Sequence, residues 1–392
     1  MTNTEPQSAG NRRDSAIAND EVEQHFPRLL DELVSRKNIH HAVLAIESGD
    51  GALRWLGARG EAHPDGTPMT PETPYWIASV TKMYIATAVL KLHERGLIEL
   101  DARIADYLPG SLVDGIHRLK GVDYSDRITV RHLLGHSSGL PDFLEEHAKG
   151  EKNLFDKIIE QDFSWTIEEA MALVRDELTP YFPPQPLDAD RQKIRYSDTN
   201  YQLLIAIVEA VSGKSIDQAF RELIYVPLGL EETHHPGTSD REGQPATLWA
   251  GDERLDIPLA MKAFGDLSST VSDQLRFMRG LVRGEVFDNP STFRLMTEHF
   301  NTFGFSLNPR PLTPGWPIEY GLGIMRFHLP RVFTPLHPTP AVVGHTGVSG
   351  SWLFYCEELD VVTAGTVDQA TAAAVPFRFV PKLLRMLQTA RR

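Results

Sequence analysis

The sequence predicts an α/β protein of the α+β type, in which an antiparallel sheet is built from both chain ends and flanked by helices. Strand-like runs occur near both termini, and residues 80 to about 290 have a mostly helical pattern. Strands at both ends with helices between them favour one sheet with a mostly helical lobe inserted. A chain of 392 residues is long enough to bury a sizeable core in one two-lobed unit.

The N-terminal region begins with a mostly polar stretch, residues 1–20, that predicts a disordered tail. A helical pattern of apolar residues follows, from Val22 to Leu33. Two strand-like runs come next, His41–Glu47 and Ala52–Leu56, and Asp50-Gly51 lies between them. An Asp-Gly pair between apolar runs is a strong hairpin signal, so we expect these two strands to pair.

The C-terminal region has the same character. Its strand-like runs are Tyr320–Phe327, Ala341–Val343, Trp352–Cys356 and Val361–Thr366, and a helical pattern from Phe379 to Leu387 ends the chain. These elements predict an α/β lobe formed by residues 21–100 and 300–392. Residues 101–299 then form the helical lobe, and an active site is expected in the cleft between the lobes, where pockets commonly form.

Composition limits the classes of partner. The net charge of −14 argues against nucleic acid and anionic membranes, which both bind basic surfaces. The one cysteine, Cys356, lies in an apolar run and is expected to be a small buried residue. No signal-peptide or transmembrane pattern is visible, so the sequence as written predicts a cytoplasmic protein without a membrane partner.

The motif with the clearest chemistry is Ser79-x-x-Lys82, which stands directly before a long helical pattern. This spacing at a helix start places both side chains on one face, one turn apart. The free N–H groups of the first turn suit an oxyanion, and the helix dipole disfavours a protonated amine. The alternative is that Ser79 is an N-cap and Lys82 a solvated first-turn residue.

Two further strings follow in order, Tyr196-Ser197-Asp198 and His345-Thr346-Gly347. The connecting sequence contains Arg95-Gly96-Leu97-Ile98-Glu99-Leu100-Asp101, Tyr107-Leu108-Pro109, residues 128–141, Pro227-Leu228-Gly229-Leu230, Ser268-Ser269-Thr270 and Tyr320-Gly321-Leu322-Gly323. In this order the strings resemble the serine β-lactamase and penicillin-binding-protein superfamily, in its class C β-lactamase-like esterase and D-peptidase branch. The resemblance extends from about residue 40 to about residue 370 and implies a β-lactamase/transpeptidase-like fold.

The resemblance implies acyl transfer through a covalent intermediate. Ser79 would be the nucleophile, and Lys82 and Tyr196 would carry its proton to the leaving group. The backbone N–H groups of Ser79 and Val348 would form the oxyanion hole. Asp198, His345, Thr346 and Gly347 would bind or support the substrate. Neither a metal nor a cofactor is expected.

Two departures from the β-lactamase pattern refine the expected substrate. His345 stands where a Lys would suit a substrate carboxylate, and His is mostly neutral at physiological pH. This form resembles D-peptidases, D-amidases and esterases of the branch. Asp198 stands where Asn is usual, which adds a negative charge beside Lys82.

These features favour a carboxylic-ester hydrolase of small or medium acyl groups, whose partner is a small-molecule ester or amide. One alternative is a β-lactamase or a D-amino-acid peptidase or amidase that uses the same residues. Another is a non-catalytic relative that binds a ligand or assembles through this fold. The sequence leaves the natural substrate and the oligomeric state open.

Residues 135–139 also fit the Gly-x-Ser-x-Gly pattern of a nucleophile elbow, with Ser137 as its serine. That motif needs a strand before the serine and a helix directly after it. Gly139 and Pro141 favour a turn there, so Ser137 is not expected to be the nucleophile. His132 and His136 have the spacing of zinc ligands, but Leu133 stands where the zincin pattern needs Glu.

Overall fold

The computed structural model describes residues 23–148, 150–238, 244–303, 318–329 and 338–390. The tail predicted over residues 1–20 lies outside these ranges. The strands are β1 (His41–Ser48), β2 (Arg54–Gly60), β3 (Tyr75–Trp76), β4 (Arg118–Leu119), β5 (Val122–Asp123), β6 (Leu248–Ala250), β7 (Glu253–Leu255), β8 (Ser268–Ser269), β9 (Asn301–Phe303), β10 (Ile318–Tyr320), β11 (Met325–Phe327), β12 (Val342–Thr346), β13 (Trp352–Cys356) and β14 (Val361–Thr366).

The α-helices are α1 (Phe26–Val34), α2 (Thr81–Glu94), α3 (Gly110–Val113), α4 (Val130–Leu134), α5 (Leu154–Glu160), α6 (Ile167–Asp176), α7 (Asp198–Ser212), α8 (Ile216–Phe220), α9 (Val226–Leu228), α10 (Pro258–Phe264), α11 (Val271–Val282), α12 (Phe293–Thr297) and α13 (Val375–Ala390). None of the helices in the described ranges is long and apolar enough to cross a membrane.

The largest feature is an eight-stranded sheet in the order β2-β1-β14-β13-β12-β11-β10-β9. Every neighbouring pair in it is antiparallel. The pairing of β1 with β14 joins the two ends of the chain, and it aligns Val43 with Thr366. The predicted fold class, an antiparallel sheet from both chain ends with helices, is confirmed.

The sheet separates two apolar cores because its side chains alternate between its faces. On β1, Ala42, Leu44 and Ile46 pack into the core beneath α1 and α13. Val43 and Ala45 on the same strand pack into the other core, which contains α2, α7 and α11. Since both faces of β1 are covered, the strand is a continuous apolar run in the sequence.

Two helices at the centre of the second core place the functional residues. Helix α2 is buried from Thr81 to Leu92, and its middle part, residues 85–90, is apolar or small on every side. Helix α7 begins at Asp198 and ends before Gly213, whose φ of 68° gives the left-handed C-cap that glycine favours. The division into lobes at residues 100 and 300 remains a prediction.

The run Tyr320–Phe327, predicted as one strand, is divided into β10 and β11. Residues 321–324 turn the chain back, with Gly321 N–H bonded to Ile324 O and Gly323 at a φ of 75°. The prediction of one continuous strand was therefore wrong. Glycine at these positions permits the turn, which a period-two pattern alone does not reveal.

A buried acid–base pair fastens the start of β1 to the chain after β14. His41 Nε2 lies 2.9 Å from Asp368 Oδ2, and His41 Nδ1 lies 2.8 Å from Glu61 O. Both side chains are at most 1% exposed. Thr366 Oγ1 donates to the second carboxylate oxygen of Asp368, so this network is closed within the protein.

Candidate active site

Ser79 lies in a tight turn between β3 and α2. Ala78–Val80 form one 3-10 turn, and α2 starts at Thr81. Ala78 has a φ of 48°, an unfavourable conformation for a residue with a Cβ. Ser79 is partly exposed, whereas its neighbours Ala78 and Val80 are buried. The turn therefore presents the serine hydroxyl at the beginning of a helix, where the sequence predicts it.

Lys82 lies one turn along the same helix face and is 4% exposed. Its Nζ is 3.0 Å from Ser79 Oγ and 2.5 Å from Asp198 Oδ1. Burial is the largest single influence on the pKa of Lys82 and lowers it, but the negative charge and hydrogen bond of Asp198, together with the charges of Tyr196 and Asp266, outweigh it. The pKa of Lys82 consequently lies well above its ordinary value, and the effect expected from the helix dipole does not prevail.

Tyr196 completes a group of three proton-carrying side chains. Its hydroxyl is hydrogen-bonded to both Lys82 and Ser79, and Lys82 Nζ lies 5.0 Å from the centre of its ring. Loss of hydration raises the pKa of Tyr196, while the charge of Lys82 acts in the opposite direction. The structure therefore brings together the three residues that the sequence analysis placed in catalysis.

Asp198 approaches Lys82 from the first residue of α7. Its backbone N–H donates to Asp142 Oδ2 at 3.2 Å. Asp142 is 2% exposed, and burial together with the charge of Asp198 raises its pKa well above the ordinary value. Sequence reasoning did not assign Asp142 a role, although it directly follows the string 128–141.

Asp266 is a second carboxyl group whose charge acts on Lys82, and sequence reasoning did not identify it. The next residue, Leu267, accepts the Ile77 N–H at 3.0 Å and donates its own N–H to Thr81 Oγ1 at 3.1 Å. These bonds hold Asp266 against the turn that carries Ser79. Burial raises the pKa of Asp266 to about 7, despite the opposing charge of Lys82. Its position before Ser268-Ser269-Thr270 was the available signal.

The end of β12 lies against the other side of the serine turn. Ser349 Oγ donates to Trp76 O at 2.9 Å, and Ser351 Oγ donates to Ile77 O at 2.8 Å. A Cβ on Gly347 would lie 2.6 Å from Ile77 O, so only glycine permits this approach. The contact brings Gly347 against Ile77 and Ala78, the two residues that precede Ser79.

His345 lies behind this edge rather than on its surface. It is fully buried, and its Nδ1 donates to Thr346 O at 2.6 Å. Nε2 must therefore accept, and its partner is the Tyr320 hydroxyl at 3.1 Å. Burial and the nearby Lys82 charge lower the pKa of His345 to about 3. His345 is thus neutral and adds no positive charge to the site.

Ser137 does not have the surroundings of a nucleophile. It is 1% exposed and lies in a loop after the short helix α4, with no strand before it. Its backbone N–H bonds to His132 O, and its carbonyl accepts the Gln185 N–H. His132 Nδ1 is occupied by Thr129, and no group of three metal-binding side chains occurs in the described ranges.

The arrangement suits acyl transfer. A partly exposed serine is hydrogen-bonded through its hydroxyl to an amine and a phenol, which are groups that can activate it as a nucleophile. The amine and the phenol contact each other as well as the hydroxyl, so a proton can pass among all three.

Comparison with known proteins identifies the family. The model of the family described as Beta-lactamase matches residues 26–376, which is most of the chain. The chain therefore belongs to the beta-lactamase family, and the resemblance drawn from its motifs is confirmed.

Individual relatives have varied activities. Penicillin-binding protein 4 of Amycolatopsis lactamdurans is 27% identical over 65% of this chain, and the match spans 62% of that protein. The chain thus covers about three-fifths of the length of this curated relative. The D-amino acid amidase of Ochrobactrum anthropi has a TM-score of 0.74 at 21% identity, covering 96% of this chain and 100% of that one. EstCE1, a hydrolase with promiscuous acyltransferase activity, has a TM-score of 0.73 at 20% identity, covering 96% and 100%.

Proposed function

We propose that this member of the beta-lactamase family is a serine hydrolase that cleaves carboxylic esters of small or medium acyl groups. Ser79 Oγ attacks the ester carbonyl carbon, and its proton passes to neutral Lys82. The tetrahedral oxyanion lies between the N–H groups of Ser79 and Val348. Collapse expels the alkoxide, which takes the hydroxyl proton of Tyr196 and leaves as the alcohol, and the Lys82 ammonium returns a proton to Tyr196. Water then attacks the acyl-enzyme carbonyl in place of the alcohol, its proton passes to the same basic groups, and Ser79 leaves as the protonated hydroxyl.

The charge around the nucleophile supports an ester over a β-lactam. Three carboxyl groups, Asp198, Asp142 and Asp266, influence one another or Lys82. His345, at the position where a lysine would attract a substrate carboxylate, is buried and neutral. A substrate with its own carboxylate would therefore meet negative charge without a compensating cation from this position. The neutral His345 is the single observation that carries this choice.

A second candidate is an amidase acting on substrates with a free amino group. The carboxyl groups near Lys82 would attract a substrate ammonium, and the fold is shared with a D-amino acid amidase. Amide cleavage by the same three residues requires protonation of an amine leaving group, a role that would fall to Tyr196.

A substrate panel tests these alternatives. We expect kcat/KM for short-chain p-nitrophenyl esters to exceed that for a chromogenic cephalosporin and for D-alanyl amides. An equal or higher value for the cephalosporin would contradict the ester proposal, and a higher value for D-alanyl amides would favour the amidase.

Covalent labelling tests the nucleophile independently of substrate. A fluorophosphonate should form its adduct on Ser79, as located by peptide mass spectrometry. Ser79→Ala should abolish labelling and lower hydrolysis by at least about a thousandfold, whereas Ser137→Ala should retain both. An adduct on Ser137 would overturn the proposed mechanism.

A further inference from the structure

His136 is a fully buried histidine in the loop after α4, in the segment whose serine is not the nucleophile. Its φ of 55° is unusual for a residue with a side chain. Such strained positions persist only where surrounding contacts hold them, and they are common at functional sites. Several contacts of His136 are made with Tyr196 and the two residues on either side of it.

Three successive residues of the Tyr196 segment contact His136. The Arg195 N–H donates to the carbonyl oxygen of His136 at 2.9 Å. The Ser197 N–H donates to His136 Nδ1 at 3.2 Å. Between them, the Tyr196 ring packs against the imidazole with ring centres 4.5 Å apart. The residue before Tyr196, Tyr196 itself and the residue after it are therefore all held by one side chain and its backbone.

The protonation state of His136 follows from these bonds. Nδ1 faces two donors, the Ser197 N–H and the Asn200 amide group at 3.0 Å, so it acts as an acceptor. The single ring proton is then on Nε2, which is buried without a hydrogen-bond partner among the described residues. Burial and the nearby charge of Lys82 lower the pKa of His136 well below its ordinary value. The imidazole of His136 is therefore neutral in the folded protein.

Aromatic rings complete the setting. The imidazole also packs against Tyr320 at 4.6 Å and Tyr201 at 5.1 Å between ring centres. Tyr320 is the residue that donates to His345. His136 thus packs against both the phenol proposed to carry the proton and the tyrosine that bonds to His345.

We infer that His136 is a positioning residue that holds the Tyr196 hydroxyl in line for proton delivery to the leaving group. This inference rests on the proposed role of Tyr196. His136 has no hydrogen bond to Ser79 or Lys82 among those described, so it acts through Tyr196. Displacement of a proton donor by a fraction of an ångström slows proton transfer without weakening substrate binding.

The leaving group of the substrate provides the test. An ethyl ester and a p-nitrophenyl ester of the same acid form the same acyl-enzyme, so their kcat/KM values differ only in the steps up to acylation. Ethoxide needs a proton to leave and p-nitrophenolate does not. We expect His136→Asn to lower kcat/KM for the ethyl ester at least about tenfold more than for the aryl ester. Asn tolerates positive φ and retains an acceptor oxygen, so it removes chiefly the ring.

His132→Asn is the matched control. His132 is a buried histidine four residues earlier whose Nδ1 also accepts a backbone N–H, but its Nε2 bonds to Gln185 O, away from Tyr196. We expect His132→Asn to lower kcat/KM for the ethyl ester and for the aryl ester by the same factor. If His136→Asn does not fold, as judged by circular dichroism, His136→Gln carries the same test.

The variant Tyr196→Phe separates the hypothesis that Tyr196 delivers the proton from the hypothesis that His136 positions Tyr196. If Tyr196→Phe lowers kcat/KM more for the ethyl ester than for the aryl ester, and folded His136→Asn lowers both equally, the positioning role of His136 is wrong and the role of Tyr196 stands. If Tyr196→Phe affects both esters equally, proton delivery by Tyr196 is wrong and the inference fails with it. Discrimination by both variants, with none by His132→Asn, supports the inference.

Discussion

Two buried acid–base pairs in this molecule link distant parts of the chain, and they differ in what else their members contact. His41 and Asp368 are at most 1% exposed, and each of their polar side-chain atoms has a partner within the protein. The side chains of Lys82 and Asp198 are 5% and 19% exposed, and Lys82 Nζ also contacts the hydroxyl of the partly exposed Ser79. The first pair is a closed structural link. The second can exchange a proton with a group that a substrate can reach.

The largest expected effect tests whether Lys82 is reactive rather than structural. Lys82→Met should lower kcat/KM for a p-nitrophenyl ester at least about a thousandfold, because Ser79 loses the group that accepts its proton. Stability should fall less than on breaking the other pair, since Asp198 is partly hydrated. Steady-state kinetics measures the change in kcat/KM, and thermal denaturation of the same preparation measures the change in stability. A variant that keeps most of its activity would remove Lys82 from the mechanism.

The closed pair should show the opposite behaviour. His41→Leu leaves Asp368 buried without its partner, which should cost about 3–5 kcal/mol in the free energy of unfolding. The kcat/KM per folded molecule should stay at the wild-type value. Urea denaturation measures the free energy of unfolding of the single variant and of the double variant His41→Leu/Asp368→Asn. The double variant should recover part of the stability that His41→Leu loses. A large loss of kcat/KM in the folded single variant would contradict a purely structural role.

Asp198→Asn should sharpen the comparison by changing charge while preserving shape. Only neutral Lys82 can accept the Ser79 proton, so activity rises as pH increases through the pKa of Lys82. The negative charge of Asp198 raises that pKa, and its removal lowers it. The acidic limb of kcat/KM should therefore move to lower pH. A pH–rate profile with one ester decides this, and an unmoved or alkaline-shifted limb would exclude Asp198 as the tuning charge.

Asp266→Asn should have the smallest effect. Asp266 also raises the pKa of Lys82, but less than Asp198 does, so the limb should move in the same direction by a smaller amount. The folded-state pKa of Asp266 is about 7, above its ordinary value of 3.8. Ionisation of this carboxyl therefore costs stability as pH rises from about 4 to 7.

Above pH 7 the Asp266→Asn variant should consequently melt at a higher temperature than the wild type, and near pH 4 the two should converge. Thermal denaturation at both values measures the difference. A variant that is less stable at pH 8 would show that ionised Asp266 stabilises the fold.

Much of the fold follows from local pattern. The runs Trp352–Cys356 and Val361–Thr366 are strands with the predicted bounds, since continuous apolar runs bounded by turn residues are typical of strands covered on both faces. Ser79 and Lys82 are neighbours because three positions on a helix are one turn. These features depend on residues close together in the chain, which a sequence displays directly.

The remaining features depend on contacts across the chain. The sequence contained His136, but only the tertiary structure shows that its imidazole packs against Tyr196, 60 positions later, because the loop after α4 packs against the start of α7. In the same way, Asp266 acquires a pKa of about 7 from burial near Lys82. Sequence by itself determined the family, the sheet and the chemical types of the reactive groups. Charge, protonation and orientation were decided by the fold, since burial and neighbouring charges set them and neither is local in sequence.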